Sequence, residues 1–366
     1  MAVGAVVLSI GMVGIFAAPA GMTLVGNLAW VIAFFGLATV GFTMVAIPYG
    51  AQAGEITQDP KERSAMTGWR MGFASVGILI GGAVIPGLAG EMGYAAAAFA
   101  VTPLMIGAVW VSLWATRNAP RIATATTVDL RRMYQLVLRN RPFMCLVALY
   151  GVMTFAIALI TAGLPLAAIY LIVDNGATAL SGAAAALSTL SLMFAAFVVG
   201  AILSQVIWVL LSSRFGKSNT LAAGLCLYAV LLVALYNSLP SVNVTAIAAL
   251  FVLAGIANGS YQQIPWAMYP DLMDVTRSES GQAIEGAFSA VWLFGQKIAN
   301  ALAPAVLGLI LAQSGWLAST GDIVTQNAQA LSALHVVISL VPAAILVTAA
   351  FCVKWIYKPM VSHAGR

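Results

Sequence analysis

Ile47-Pro48-Tyr49-Gly50-Ala51-Gln52-Ala53-Gly54-Glu55 decides the fold, because a related stretch opens at Ile264-Pro265-Trp266, about 217 positions later. Gly68, Arg70, Phe73, Gly77 and Pro86 follow the first copy; Asp271, Glu285, Phe288, Lys297 and Pro304 follow the second. Both copies read as an apolar helix, an Ile-Pro-aromatic step, an acid-containing polar loop and a second apolar helix ending near a proline. A parallel internal repeat of this length marks transporters built from two like halves. The second copy has about 124 residues of its own half ahead of it, counted from Arg141, whereas the first has 47 ahead of Pro48. The difference, about 77 residues, is the length of two membrane helices with their loops. The expectation is a chain equivalent to a longer carrier without its first two helices.

Composition sets the solvent. Hydrophobic residues make up 62% of the 366, charged residues 7%, and mean hydropathy is +0.99. A water-soluble core cannot absorb that much apolar surface, so the chain reads as an integral membrane protein. The 34 glycines and runs such as Ala183-Ala184-Ala185-Ala186 suit helices packed through small residues, since lipid supplies no hydrophobic drive between helices. No basic segment follows Met1, which argues against a cleaved secretory signal. Cys145, Cys226 and Cys352 each lie in an apolar run and read as small buried hydrophobes, not as a disulfide or metal set.

Spans of about 20 apolar residues predict ten helices, near 3–26, 28–51, 69–90, 94–115, 143–173, 182–211, 219–236, 244–269, 284–312 and 331–356. The intervening loops alternate in charge. One set carries Lys61, Arg63 and Arg70, then the basic residues of 117–141, then Arg214, Lys217, Arg277 and the tail with Lys354, Lys358 and Arg366. The other set (19–27, 90–94, 174–181, 237–243 and 313–330) has neither Lys nor Arg. The positive-inside rule then places both termini in the cytoplasm, with Lys297 as the one basic residue inside a helix. Four organisational units follow: 1–115 as an incomplete four-helix bundle, 116–141 as a cytoplasmic linker, 142–358 as a six-helix bundle and 359–366 as a tail. Val128 to Leu138 in the linker is patterned for a short amphipathic helix on the membrane surface.

The net charge of +5 is thus topological; a nucleic-acid footprint needs a soluble basic face with interleaved aromatics. No GxxxxGK[ST] loop is present, so the chain carries no ATP motor. No cofactor or metal is expected, only a coupling ion, H+ or Na+. A channel is disfavoured, since no span repeats a filter-like sequence.

Ile47 to Ser64, followed by Trp69-Arg70-Met71-Gly72-Phe73-Ala74, resembles the signature of the glycoside-pentoside-hexuronide:cation symporters of the major facilitator superfamily, whose best-known member is the melibiose carrier. Gln263-Ile264-Pro265-Trp266-Ala267-Met268, Asp271-Leu272-Met273-Asp274, Glu285-Gly286 and Gln296-Lys297 resemble the same family's motif around its tenth and eleventh helices. The resemblance covers the whole chain and aligns it as the third to twelfth helices of a twelve-helix carrier. It implies an all-α, major-facilitator-type bundle of two pseudo-symmetric halves that moves a sugar or glycoside.

Lys297 stands out on energetic grounds. A cation near the middle of an apolar helix costs roughly 2.5–3.5 kcal/mol on insertion scales, so it faces a polar cavity or a partner, unless it snorkels from the helix end. The resemblance puts it at the central cavity. Arg70 is either a positive-inside anchor or, by resemblance, a guanidinium bonding sugar hydroxyls or a carboxylate. Trp69 reads as an interface aromatic. Tyr49, Trp266, Trp292, Gln262, Gln263 and Gln296 supply the aromatic faces and amides that a sugar site needs, with packing as the competing reading of each. Pro48 and Pro265, at equivalent points of the two halves, are expected to kink or end their helices. Glu55, Asp59, Arg63, Asp271, Asp274 and Glu285 are assigned to a cytoplasmic gate, the alternative being solvated loops. His335 reads as a helix-contact residue and His363 as part of the solvated tail.

The sequence also departs from the resemblance. Sugar-carrying members such as the melibiose carrier place an acid two positions before the proline of the first motif, where this chain has Ala46. Those carriers also use acids of their first two helices, and Val275 to Gly281 is poorer in aromatic and basic residues than the family pattern. The sequence therefore leaves the coupling ion open. It points to a monomeric, multi-pass, non-enzymatic carrier of a small solute in a bacterial-type inner membrane, working by cation symport. A carrier of the same fold for a lipid-like or drug-like solute and a truncated, non-transporting membrane protein remain the alternatives, and the chain alone is expected to transport poorly.

Overall fold

The computed structural model describes residues 1–56, 60–119, 130–280, 285–318 and 323–364. Among them the chain is helical, with one isolated bridge, Ile172 to Ser241, in place of any sheet. The N-terminal half comprises α1 (Ala2–Phe16), α2 (Leu24–Ile56), α3 (Pro60–Leu79) running through a π-helical turn (Ile80–Val84) into α4 (Ile85–Met92), and α5 (Tyr94–Ala115). A short amphipathic helix, α6 (Leu130–Arg139), leads to the C-terminal half. That half holds α7 (Arg141–Tyr170), the short α8 (Ser181–Leu187), α9 (Thr189–Phe215), α10 (Lys217–Ser238), α11 (Val244–Ser280), α12 (Glu285–Gln313), and a last rod formed by α13 (Ala328–Ile338), α14 (Leu340–Cys352), a second π-helical turn and α15 (Lys358–Ala364). Eight of the described helices are long and apolar enough to cross a membrane. Adding the short apolar α1 and the α3–α4 rod gives ten.

Local chemistry explains the boundaries. The Asn140 side chain accepts from the Phe143 N–H at 2.9 Å, and Pro142 occupies the first turn of α7, where a missing N–H costs nothing. Gly216, at φ 82°, lets α9 end and α10 begin without a linker. Two expected spans need correction. The first does not run to 26: α1 stops at Phe16, and the Pro19-containing turn up to Thr23 separates it from α2. The sixth is broken at Ser188, whose backbone takes φ 68° while its hydroxyl accepts from the Ser191 N–H at 3.3 Å to start α9 afresh. Pro48 and Pro265 both lie inside unbroken helices, so neither ends one. Cys226 is exposed and Cys145 and Cys352 are half-buried; all three are free thiols on helix flanks, where a small apolar side chain serves as well against lipid as in a core.

The two halves are packed differently. In the C-terminal half α9 and α11 cross with backbones in contact. A methyl group on Gly200 would stand 2.0 Å from the Val252 carbonyl oxygen, and one on Gly255 1.9 Å from that of Phe197. This is helix association through small residues, the form that works without a hydrophobic drive. Around that crossing two apolar cores form, one about Tyr150, Trp292 and Phe288, the other about Leu159, Met193 and Ile247. In the N-terminal half α1 and α2 approach as closely, a methyl group on Gly41 standing 2.3 Å from the Leu8 nitrogen, but the other face of α2 and much of α5 are open, with Leu24, Leu28, Ile32 and Phe35 exposed along α2 and Trp110 and Trp114 along α5.

Candidate functional site

The halves meet where the two sequence repeats come together. Tyr49 near the end of α2 and Arg70 in α3 belong to the N-terminal half; Trp266 and Tyr269, a helical turn apart on α11, belong to the other. The Arg70 guanidinium lies over the Tyr49 ring, 4.7 Å from its centroid, and over the Trp266 ring at 4.3 Å. Cation–π contact of this kind gains strength away from water. Close by, the Tyr269 hydroxyl donates to the Gly50 carbonyl at 3.0 Å, a buried hydrogen bond between halves.

Behind Trp266 the C-terminal half builds a rigid aromatic block. Trp292 of α12 stacks on Tyr150 of α7 (4.2 Å, 13° between planes) and on Tyr269 (5.1 Å, 16°), while Trp266 stands edge-on to all three rings. Tyr150 is the hub. Its hydroxyl accepts from Trp266 Nε1 at 3.0 Å and from Gln296 Nε2 at 3.2 Å, and its ring also stacks on Tyr261, which pairs with Thr154 at 2.8 Å. Offset stacks add about 0.5–1.5 kcal/mol each beyond area burial, so Trp266 is held in place before anything binds.

Arg70, Tyr49, Gln52, Ser112, Thr116 and Trp266 line a recess of about 280 Å³, with Tyr269 at its inner side. Lys297 is elsewhere. It lines a second recess, of about 330 Å³, with Thr43 and Ile47 of α2, Tyr134 of α6 and Phe294 of α12. Its ammonium donates to Thr43 Oγ1 at 2.8 Å, and that hydroxyl donates in turn to the Thr39 carbonyl at 2.8 Å. Lys297 also lies 5.1 Å from the Phe42 centroid.

The sequence-derived set is thus divided. Arg70, Tyr49 and Trp266 share one recess and Lys297 faces another. Gln296 and Trp292 stand behind the site: Gln296 holds Tyr150, and Trp292 is fully buried within the stack. Gln263 turns to a third, small hollow with Ser212, Ser213 and Lys217, and the Gln262 side-chain oxygen is buried with no partner among the described residues. Asp271 pairs with Lys217 at 2.6 Å, and the same ammonium donates to the Ala267 carbonyl at 2.9 Å. That ion pair joins α10 to α11 inside one half. Asp59 and the side chains of Glu55, Arg63, Asp274 and Glu285 lie outside the described residues. Sequence reasoning missed Tyr150, Tyr269 and Thr43. A hydroxyl in an apolar run was their only signal, and many helix-packing residues share it.

The family model described as MFS/sugar transport protein matches residues 1–358. The chain belongs to this family of membrane transporters. Its relatives include a putative glycoside/cation symporter, YagG, of Escherichia coli K12, 24% identical over 91% of this chain and 70% of that one. A putative sulfoquinovose importer of Salmonella typhimurium is 25% identical over 92% of this chain and 69% of its own. The fold is shared with the major facilitator superfamily transporter FucP in its outward conformation, with a TM-score of 0.59 at 12% identity over 96% of this chain and 82% of that one.

Proposed function

We propose that this family member carries a sugar or glycoside across the membrane with a proton or sodium ion, by alternating access and without covalent chemistry. The observation that carries the reading is the Arg70 guanidinium of one half lying on the Trp266 ring of the other, in a recess that also offers Tyr49, Gln52, Ser112 and Thr116. Sugars are held by an aromatic face with amide, hydroxyl and charged hydrogen-bonding partners around it, and this recess has each kind. Its place between the halves suits a site exposed first to one side of the membrane and then to the other.

The charge pattern supports both termini in the cytoplasm, and the reading is completed by a bacterial-type inner-membrane location and a monomer in which 1–115 and 142–358 move against each other about the 116–141 linker. Of the charged groups at the basic end, Glu55, Asp59, Arg63, Asp274 and Glu285 are proposed to open and close that end, while Asp271 is tied to Lys217 within its own half. A carrier for lipid-like cargo would be favoured by Lys297 tied to an acid in a greasy cavity; its partner is instead the Thr43 hydroxyl.

Uptake of labelled glycosides into vesicles under an imposed proton or sodium gradient tests the reading. Gradient-driven uptake by the chain, slow but measurable and lowered at least about a further tenfold in Lys297→Ala, is the expected result. Absence of uptake for every sugar under both gradients would overturn it.

A further inference from the structure

We propose that the C-terminal half holds the phosphate headgroup of an anionic phospholipid in a recess where the start of α10, the polar end of α11 and the last rod come together. The recess encloses about 270 Å³ and shares no lining residue with those at Arg70 and Lys297. Tyr357 carries the inference. It lines the recess and is only 3% exposed, yet its hydroxyl has no hydrogen-bond partner among the described residues. A buried tyrosine hydroxyl normally finds a partner, so an unpaired one at the wall of a polar hollow marks a place for a ligand. Two ammonium groups line the same hollow. Lys217 donates to Asp271 at 2.6 Å and to the Ala267 carbonyl at 2.9 Å, and Lys358 donates to the Asn219 side-chain oxygen at 3.0 Å. Each ammonium has three donors, which leaves one on Lys217 and two on Lys358 for an incoming acceptor.

The backbone adds to this donor set. α10 starts after Gly216, at φ 82°, with no side-chain cap, and its first three residues line the recess, so the positive end of its dipole lies beside the hollow. Lysines at a helix start are a phosphate-binding combination. Placement selects a lipid phosphate over a free one. The apolar spans Thr189–Phe215, Lys217–Ser238 and Ala328–Val361 each have an end here, which sets the recess at headgroup level. Phe215 and Trp355 are exposed at the same span ends, each with a basic side chain over its ring, at 5.5 Å from Arg214 and 5.8 Å from Lys354, as interface anchors are. Met268, Leu272 and Val361 give the recess an apolar side, suited to the glycerol and first acyl carbons beneath a phosphate. The positive-inside rule puts this end at the cytoplasmic leaflet, where anionic lipids gather basic side chains.

Thermal unfolding of the full chain in neutral detergent, titrated with phosphatidylglycerol or with phosphatidylcholine, reads the site without transport, because a ligand of the folded state raises the melting temperature as its concentration rises. Phosphatidylglycerol should stabilise at concentrations at least about fivefold lower than phosphatidylcholine. Lys358→Gln should remove most of that preference, and Tyr357→Phe, which takes away one donor, should weaken it about threefold. Arg214→Gln removes a cation of the same membrane face outside the recess and should leave the preference unchanged. Equal losses in Arg214→Gln and Lys358→Gln would show diffuse attraction to a basic surface and overturn the site. Equal stabilisation by inorganic phosphate without lipid would overturn the lipid assignment, and so would an intact phosphatidylglycerol preference in the Lys358→Gln, Tyr357→Phe double variant.

Discussion

Tyr150 shows how one hydroxyl organises a site that no motif announces. It takes two hydrogen bonds, from Trp266 Nε1 and Gln296 Nε2, while its ring stacks on Trp292. Tyr150→Phe keeps the ring and removes the acceptor, stranding the buried Trp266 N–H and releasing the half-buried Gln296 amide. The stranded donor costs about 1–3 kcal/mol. The variant is expected to unfold at a lower temperature in detergent and to bind solute more weakly, because Trp266 loses the bond that fixes its ring beneath Arg70. Trp292→Phe, which leaves both bonds in place, should affect binding less; the reverse order in a ligand-binding titration would show that stacking, not the hydroxyl, positions Trp266. At this scale the sequence was legible where energy is conspicuous. Lys297 and Arg70 are charges in apolar surroundings, and each turned out to contact the other half. Trp292 misled because a tryptophan beside a cavity and one buried behind it look the same in a string of residues, and Thr43 was missed because threonine is ordinary in membrane helices.

Helix identity was legible because twenty-residue apolar spans leave little choice in a bilayer. Helix interruptions were less so. Ser188 breaks the sixth span by adopting a left-handed backbone that costs a non-glycine residue about 1–3 kcal/mol, and no residue type at that point signals it. The π-helical turns at Ile80–Val84 and Val353–Tyr357 were equally silent. How tightly two helices approach was legible only in outline, from the abundance of glycine. The structure gives the positions: Gly200 and Gly255 set the α9–α11 contact, with no room for a methyl group on either. Gly255→Ala should push the two backbones apart and destabilise the C-terminal half by about 1–3 kcal/mol. Gly308→Ala, on α12 with open space around it, should be neutral or slightly stabilising. Thermal unfolding in detergent checks both, and equal melting temperatures for the two variants would show that the α9–α11 crossing relaxes freely.

The whole molecule is two unlike halves of one repeated plan. α11 is largely covered, chiefly by α9, while its repeat counterpart α2 is covered on one face by α1 and exposed along much of the rest, and the two halves touch through a few specific contacts. These include Tyr269 to Gly50, Arg70 to Trp266 and Lys297 to Thr43. Near the first of these, a side chain on Gly50 would meet Ser289 at 3.4 Å between Cβ atoms, close to the separation a disulfide spans. This gives a direct test of alternating access. With Cys145, Cys226 and Cys352 replaced by alanine, Gly50→Cys combined with Ser289→Cys should oxidise to an intramolecular disulfide and tie α2 to α12. If transport requires the halves to part there, uptake should fall at least about tenfold on oxidation and return on reduction, while each single variant is unaffected by either treatment. Full uptake by completely cross-linked protein would mean that α2 and α12 stay together throughout the cycle. The opening would then have to run along the α3–α9 seam, where Phe194 already fills the space beside Gly82.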